Sequence, residues 1–169
     1  MAVFAEVADW AAQLSALPLS AALRASAWAY PIIEIFHLAG MALLFGSIVV
    51  VDMRLAGFGR QLPVTILLRH ALPLSIIGFL LIAASGVLLF MAHADELIGN
   101  RAFLAKTALV LLGLANAAWF HVGPYRQLLR PGSDWEAGGR PPAGARACAW
   151  ISLSTWILVI CAGRLIAYM

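Results

Sequence analysis

Residues 71 to 92 read ALPLSIIGFLLIAASGVLLFMA, a run without a charged side chain. About 20 consecutive apolar residues suffice to carry a helix across a hydrocarbon core roughly 30 Å thick. In that medium the backbone must satisfy its own polar groups, so a spanning segment is a helix or one strand of a closed barrel. The run lacks both the polar alternation and the roughly 10-residue length of a barrel strand, which leaves the helix. Working outward, three further stretches have the same character: Tyr30 to Val51 before it, then Ala102 to Val122 and Ala147 to Tyr168 after it. The whole chain agrees, since its 169 residues are 63% hydrophobic and 11% charged, whereas about a quarter of a soluble domain is charged. The predicted fold class is therefore all-α, an integral membrane four-helix up-and-down bundle over residues 27–169.

The first 26 residues read differently. Met1 to Trp10 carries Glu6 and Asp9 but no Lys or Arg, so it lacks the basic start of a signal peptide and is expected to be retained. Val3, Phe4, Val7, Trp10, Leu14 and Leu17 recur near helical spacing until Pro18 interrupts them. This pattern predicts an amphipathic helix lying in the membrane interface.

Basic residues orient the bundle, because Lys and Arg in short loops stay on the cytoplasmic side. The first loop holds Arg54, Arg60 and Arg69, and the third holds Arg126, Arg130, Arg140 and Arg146. The second has Asp95 and Glu96 against Arg101 alone. Loops one and three are thus expected in the cytoplasm and both termini outside, which in a bacterial inner membrane means the periplasm. The net charge of +3 belongs largely to those loops and predicts contact with anionic lipid rather than nucleic acid. The third loop, rich in Gly and Pro, reads as a linker. Pro31, Pro63 and Pro73 read as lying at span ends. Gly40, Gly46, Gly86 and Gly113 are candidates for close helix approach.

Ionisable residues inside the spans carry the functional signal, since a charge in hydrocarbon is costly and is rarely kept without a partner or a role. Measured from span midpoints at about 1.5 Å per residue, Glu34, His37, Lys106 and Arg164 all lie about 6–11 Å toward the outer face, and Ser85 joins them. Glu34 and His37 are three apart and share a helix face. Two cations against one carboxylate can form a structural salt-bridge network. They can equally leave a positive excess that an anionic or quinone-like ligand would balance.

The four histidines divide between leaflets. His70 and His121 fall at similar depth near the cytoplasmic end, beside Asp52, Arg54 and Asn116, and facing histidines can hold a b-type haem in a bundle. His37 and His93 lie in the outer half, about 12 Å apart in depth. That division is what a two-haem electron carrier would present. Copper is a weaker candidate through Met41, Met53 and Met91, and a protein with no cofactor is consistent with the same residues. The spans lack the second carboxylate and histidine motif of a di-iron bundle, the paired Cys and His of structural zinc, and any phosphate loop or nucleophile elbow. Cys148 and Cys161 are too far apart on one helix to bridge.

The stretch His37-Leu-Ala-Gly-Met-Ala-Leu-Leu-Phe-Gly-Ser, continued by Val51-Asp-Met-Arg-Leu-Ala-Gly57, joins Gly86-Val-Leu-Leu-Phe90, Phe103-Leu-Ala-Lys106 and Asn116-Ala. Together they resemble a group of small bacterial four-helix membrane proteins of unknown function over Pro31 to His121. The chain is more remotely similar to membrane proteins of the copper-resistance D and cytochrome b561 type. The first resemblance implies the topology and singles out His37, Asp52, Arg54, Lys106 and Asn116. The second implies haem b or copper handling. Three functions follow as expectations: a haem-binding or redox-linked electron carrier, a binding protein for an anionic or quinone-like ligand, and an accessory subunit of a larger membrane complex. The last, like a homo-oligomer, would meet its partners through lipid-facing helices. None of the three is a catalyst in its own right.

Overall fold

The computed structural model describes residues 2–169, with side chains from Glu6 onward. Two short helices, α1 (Ala2–Ser15) and α2 (Pro18–Ala25), precede the first long one, α3 (Ala29–Ala56). Then come α4 (Val64–Ala92), the single turn α5 (Ala94–Leu97), α6 (Arg101–Val122), the short α7 (Pro124–Leu128) and α8 (Ala143–Leu165). Four of these helices are long and apolar enough to cross a membrane. At 1.5 Å per residue, α3 and α4 are each about 42 Å long.

Both outlast their apolar runs. Hydropathy marks only the part of a helix that needs no water, whereas the helix itself continues while caps satisfy its ends. α4 begins at Val64 rather than Ala71, so Pro73 lies inside it rather than at its end. Pro31 falls in the first turn of α3, where the missing N–H has no intrahelical acceptor to lose. α3 stops at Gly57, whose φ of +113° is open to glycine and strained for other residues. There the Phe58 N–H reaches back to the Met53 carbonyl at 3.0 Å, a Schellman-type ending.

α3 packs along α4 and along α8, and α8 along α6, while α4 and α6 make no extended contact. The α3–α4 seam is set by Gly40 and Gly78. A Cβ on Gly78 would stand 2.6 Å from the Leu44 nitrogen, so these two backbones touch directly. The Ser47 and Ser75 hydroxyls bond across the same seam at 2.8 Å. Gly113 performs the same service against the Trp156 ring on α8. Gly46 has open space around it and joins no seam. Outward faces remain apolar, with Ile35, Leu80 and Leu111 each about 60% exposed, as lipid-facing positions require.

The N-terminal segment breaks where Pro18 opens α2. It is held against the end of α4 by polar bonds. The Ser15 hydroxyl donates to Asp95 at 2.7 Å, and the Arg24 guanidinium donates to the carbonyls of Ala92 at 2.7 Å and Ser15 at 2.9 Å. The Ser15 bond holds the Asp95 carboxyl below its usual range. Val7, Trp10, Leu17 and Leu19 stay exposed, giving the pair an apolar outer face.

The Gly- and Pro-rich third loop folds back over the opposite end of the bundle rather than acting as a linker. Arg54, 2% exposed, donates through Nε to the Leu62 carbonyl at 2.7 Å and through Nη2 to those of Trp135 and Glu136 at 3.1 and 3.2 Å. Glu136 caps α4 in return, its backbone carbonyl accepting from Val64 N–H and its carboxylate from the N–H and hydroxyl of Thr65. Trp135 is buried against Leu55, Val64 and Leu68.

Candidate functional site

Beneath the end that carries both termini lies a cavity of about 790 Å³, lined from α3, α4, α6 and α8. Helical spacing on α3 puts Glu34, His37 and Met41 on its wall, and α6 and α8 contribute Lys106 and Arg164. The layer inferred from depth alone is therefore one place. Ser85 is reached through His37, whose Nδ1 bonds its hydroxyl at 2.9 Å. That hydroxyl gives its own proton to the Leu81 carbonyl. It must accept from His37, which places the imidazole proton on Nδ1 and leaves Nε2 with a lone pair.

Two glycines border the charged side chains, Gly86 closely and Gly163 at ordinary contact distance. A Cβ on Gly86 would lie 3.3 Å from His37 Cε1, and one on Gly163 would lie 3.6 Å from Lys106 Nζ. Gly86 is thus tied to the site rather than to a helix seam. The sequence signal at Gly163 is slight, a small residue directly before Arg164. Among the described residues no ion pair joins Glu34, Lys106 or Arg164. Lys106 is half-buried, and Arg164 donates only within its own segment, to the Tyr168 hydroxyl at 2.8 Å. The salt-bridge network is not formed.

His93 lines the same cavity as His37. It pairs with Glu96 at 3.5 Å and takes the edge of Tyr30 at 5.5 Å between centroids. Phe90 and Phe103 stack at 5.4 Å to form an aromatic wall. Asn100, also on the lining, caps α6 by accepting from Phe103 N–H at 3.1 Å.

The other histidines do not come together. His70 is exposed beside Ser47 and Leu74 in a groove of α3 and α4, whereas His121 lines a different cavity with Asp52 and Asn116. Each bonds the carbonyl four residues back through Nδ1 at 2.8 Å. Arg54, adjacent to Asp52 in the sequence grouping, is turned away into the third loop. No group of three or more His, Cys, Asp or Glu fit to hold a metal occurs among the described residues.

The fold and its apolar faces make this a multi-pass membrane protein. No family model, curated protein or solved structure matches the chain.

Proposed function

We propose that the protein binds an amphiphile with an anionic or quinone-like head in the cavity beneath its termini, in a bacterial inner membrane with both termini periplasmic. The observation that carries this reading is the convergence of Glu34, His37, Lys106 and Arg164 on one 790 Å³ cavity without pairing among themselves. Lys106 and Arg164 share the lining with the carboxylates of Glu34 and Glu96, but among the described residues neither cation is paired with one of them, so each is free to donate to a bound carboxylate, phosphate or polarised carbonyl. The stacked Phe90 and Phe103 offer a flat ring an apolar wall. The charge on loops one and three supports the orientation.

The test uses protein in lipid nanodiscs with decanoate and a decyl-substituted benzoquinone as probes. Lys106→Met and Arg164→Leu should each weaken binding of at least one probe by about tenfold, the worth of one charge-assisted bond. Two folded variants that bind both probes as the wild type does would reduce the cavity to a structural gap.

One observation favours a second reading, a haem-linked electron carrier. His37 and His93 open to the same cavity as two cations suited to propionates, and the His37 Nε2 lone pair is the ligand form. Haem would supply one-electron chemistry between a quinol and a periplasmic acceptor. Protein from haem-replete cells that lacks both a Soret band and iron removes this reading.

A further inference from the structure

The end of the bundle away from the termini contains a second cavity, about 280 Å³, lined from all four long helices. Because α4 and α6 make no extended contact, it opens sideways between them, with Leu72 and Ile76 of α4 and Leu114 and Ala117 of α6 exposed along its rim. Its walls are apolar apart from Asp52, Ser75, Asn116, His121 and Ser152, which all line it.

The free bonding capacity of these polar groups has one sign. Asp52 is only 6% exposed, yet its Oδ2 is buried without a hydrogen-bond partner. A buried carboxylate oxygen left unsatisfied in this way calls for a donor. Asn116 spends its Nδ2 on the Cys148 carbonyl at 2.9 Å, so its remaining amide atom is the acceptor Oδ1. His121 gives its Nδ1 proton to the Ala117 carbonyl at 2.8 Å, which leaves Nε2 an acceptor. The Ser75 hydroxyl donates to Ala71 within its own helix, and the Ser152 hydroxyl bonds the Asp52 carboxyl without satisfying Oδ2, so neither serine is a free donor. Three acceptors thus end an apolar, lipid-accessible cleft.

We propose that this cleft binds an amphiphile whose head donates hydrogen bonds, a phenol or an ammonium on an apolar tail, with Asp52 as its anchoring acceptor. The occupant would slide in from the bilayer between α4 and α6. Its tail replaces lipid along the rim, and its head supplies the donor that Oδ2 lacks. The proposal does not depend on what fills the outer cavity.

Calorimetric titration of the protein in neutral-lipid nanodiscs, blanked against empty nanodiscs, tests it with 4-octylphenol, octylamine and 4-octylanisole. The anisole has the tail and ring but no donor. At least one of the other two should bind ten times more tightly than the anisole, and the better of the pair identifies a phenolic or an ammonium head. Asp52→Asn should erase that preference. Ala117→Phe, which narrows the mouth and leaves all three acceptors in place, should weaken every probe and stands as the deciding variant if Asp52→Asn does not fold. Equal binding of the anisole, an unchanged preference in Asp52→Asn, or unchanged binding in Ala117→Phe would each overturn the assignment.

Discussion

The two ends of this bundle treat their charges in opposite ways. At the loop end, Arg54 is 2% exposed and surrounded by acceptors, the carbonyls of Leu62, Trp135 and Glu136. At the terminal end, Lys106 and Arg164 receive no carboxylate from a neighbouring helix although Glu34 lines the same cavity. In the sequence these cations look alike, each an isolated basic residue at the end of, or within, an apolar run. What separates them is supply. A long loop folds back to satisfy the first, while only a short turn closes the helices above the others. A buried charge bonded to acceptors from a returning loop holds structure together, whereas a cation on a cavity wall without an ion-pair partner contributes little to that.

That contrast can be broken at its strong end first. Arg54→Leu strips the carbonyls of Leu62, Trp135 and Glu136 of their donor and should cost about 3–5 kcal/mol, at roughly 1–3 kcal/mol for each acceptor left unsatisfied, read as a lower midpoint in detergent unfolding. A variant as stable as the wild type would mean that the third loop holds without it. Next comes the helix seam, where Gly78→Ala should cost about 1–3 kcal/mol by forcing α3 and α4 apart, whereas Gly46→Ala, with open space around it, should gain up to about 1 kcal/mol from helix propensity. Similar midpoints for the two would contradict the backbone contact. Glu136→Ala removes the cap on Thr65 and should cost about 1 kcal/mol.

Lys106→Met sharpens the comparison from the other side. Removing a cation without an ion-pair partner should leave the unfolding midpoint unchanged or raise it by less than about 1 kcal/mol, even as it weakens ligand binding. A loss as large as that of Arg54→Leu would make the two ends equivalent.

The smallest effect concerns Asp95. Its folded carboxyl is held below the ordinary value by the Ser15 hydroxyl, so the bond contributes above the unfolded value and is lost as pH falls through the lower, folded one. Docking of α1 should therefore loosen below about pH 4, the ordinary carboxylate value, seen as faster proteolysis of the N-terminal segment. Ser15→Ala should be loosened at neutral pH and show less change on acidification. A wild-type segment equally protected across that range would remove the role of the bond.

Much of the architecture was legible in advance. The number of crossings follows from apolar length, and the depth of Glu34, His37, Lys106 and Arg164 follows from the fixed rise of a helix, which is why the outer cavity gathers them as expected. Depth carries no information about azimuth. His70 and His121 share a level but open to different cavities, because their helices, α4 and α6, make no extended contact. The third loop differs from its linker-like composition for a related reason. Gly and Pro announce irregular backbone, but not that Trp135 and Glu136 within it would dock on α4.

Taken alone, the amino-acid order determined the medium, the helical form and the heights of the polar groups, all consequences of local hydropathy and of a backbone that must bond to itself. Only the tertiary structure decided which cation found acceptors, which glycine made room for a side chain rather than a helix, and which carboxylate was left with an unpartnered oxygen. Those outcomes depend on rotation about each helix axis and on a loop returning from far along the chain, and both are settled by packing among segments distant in sequence.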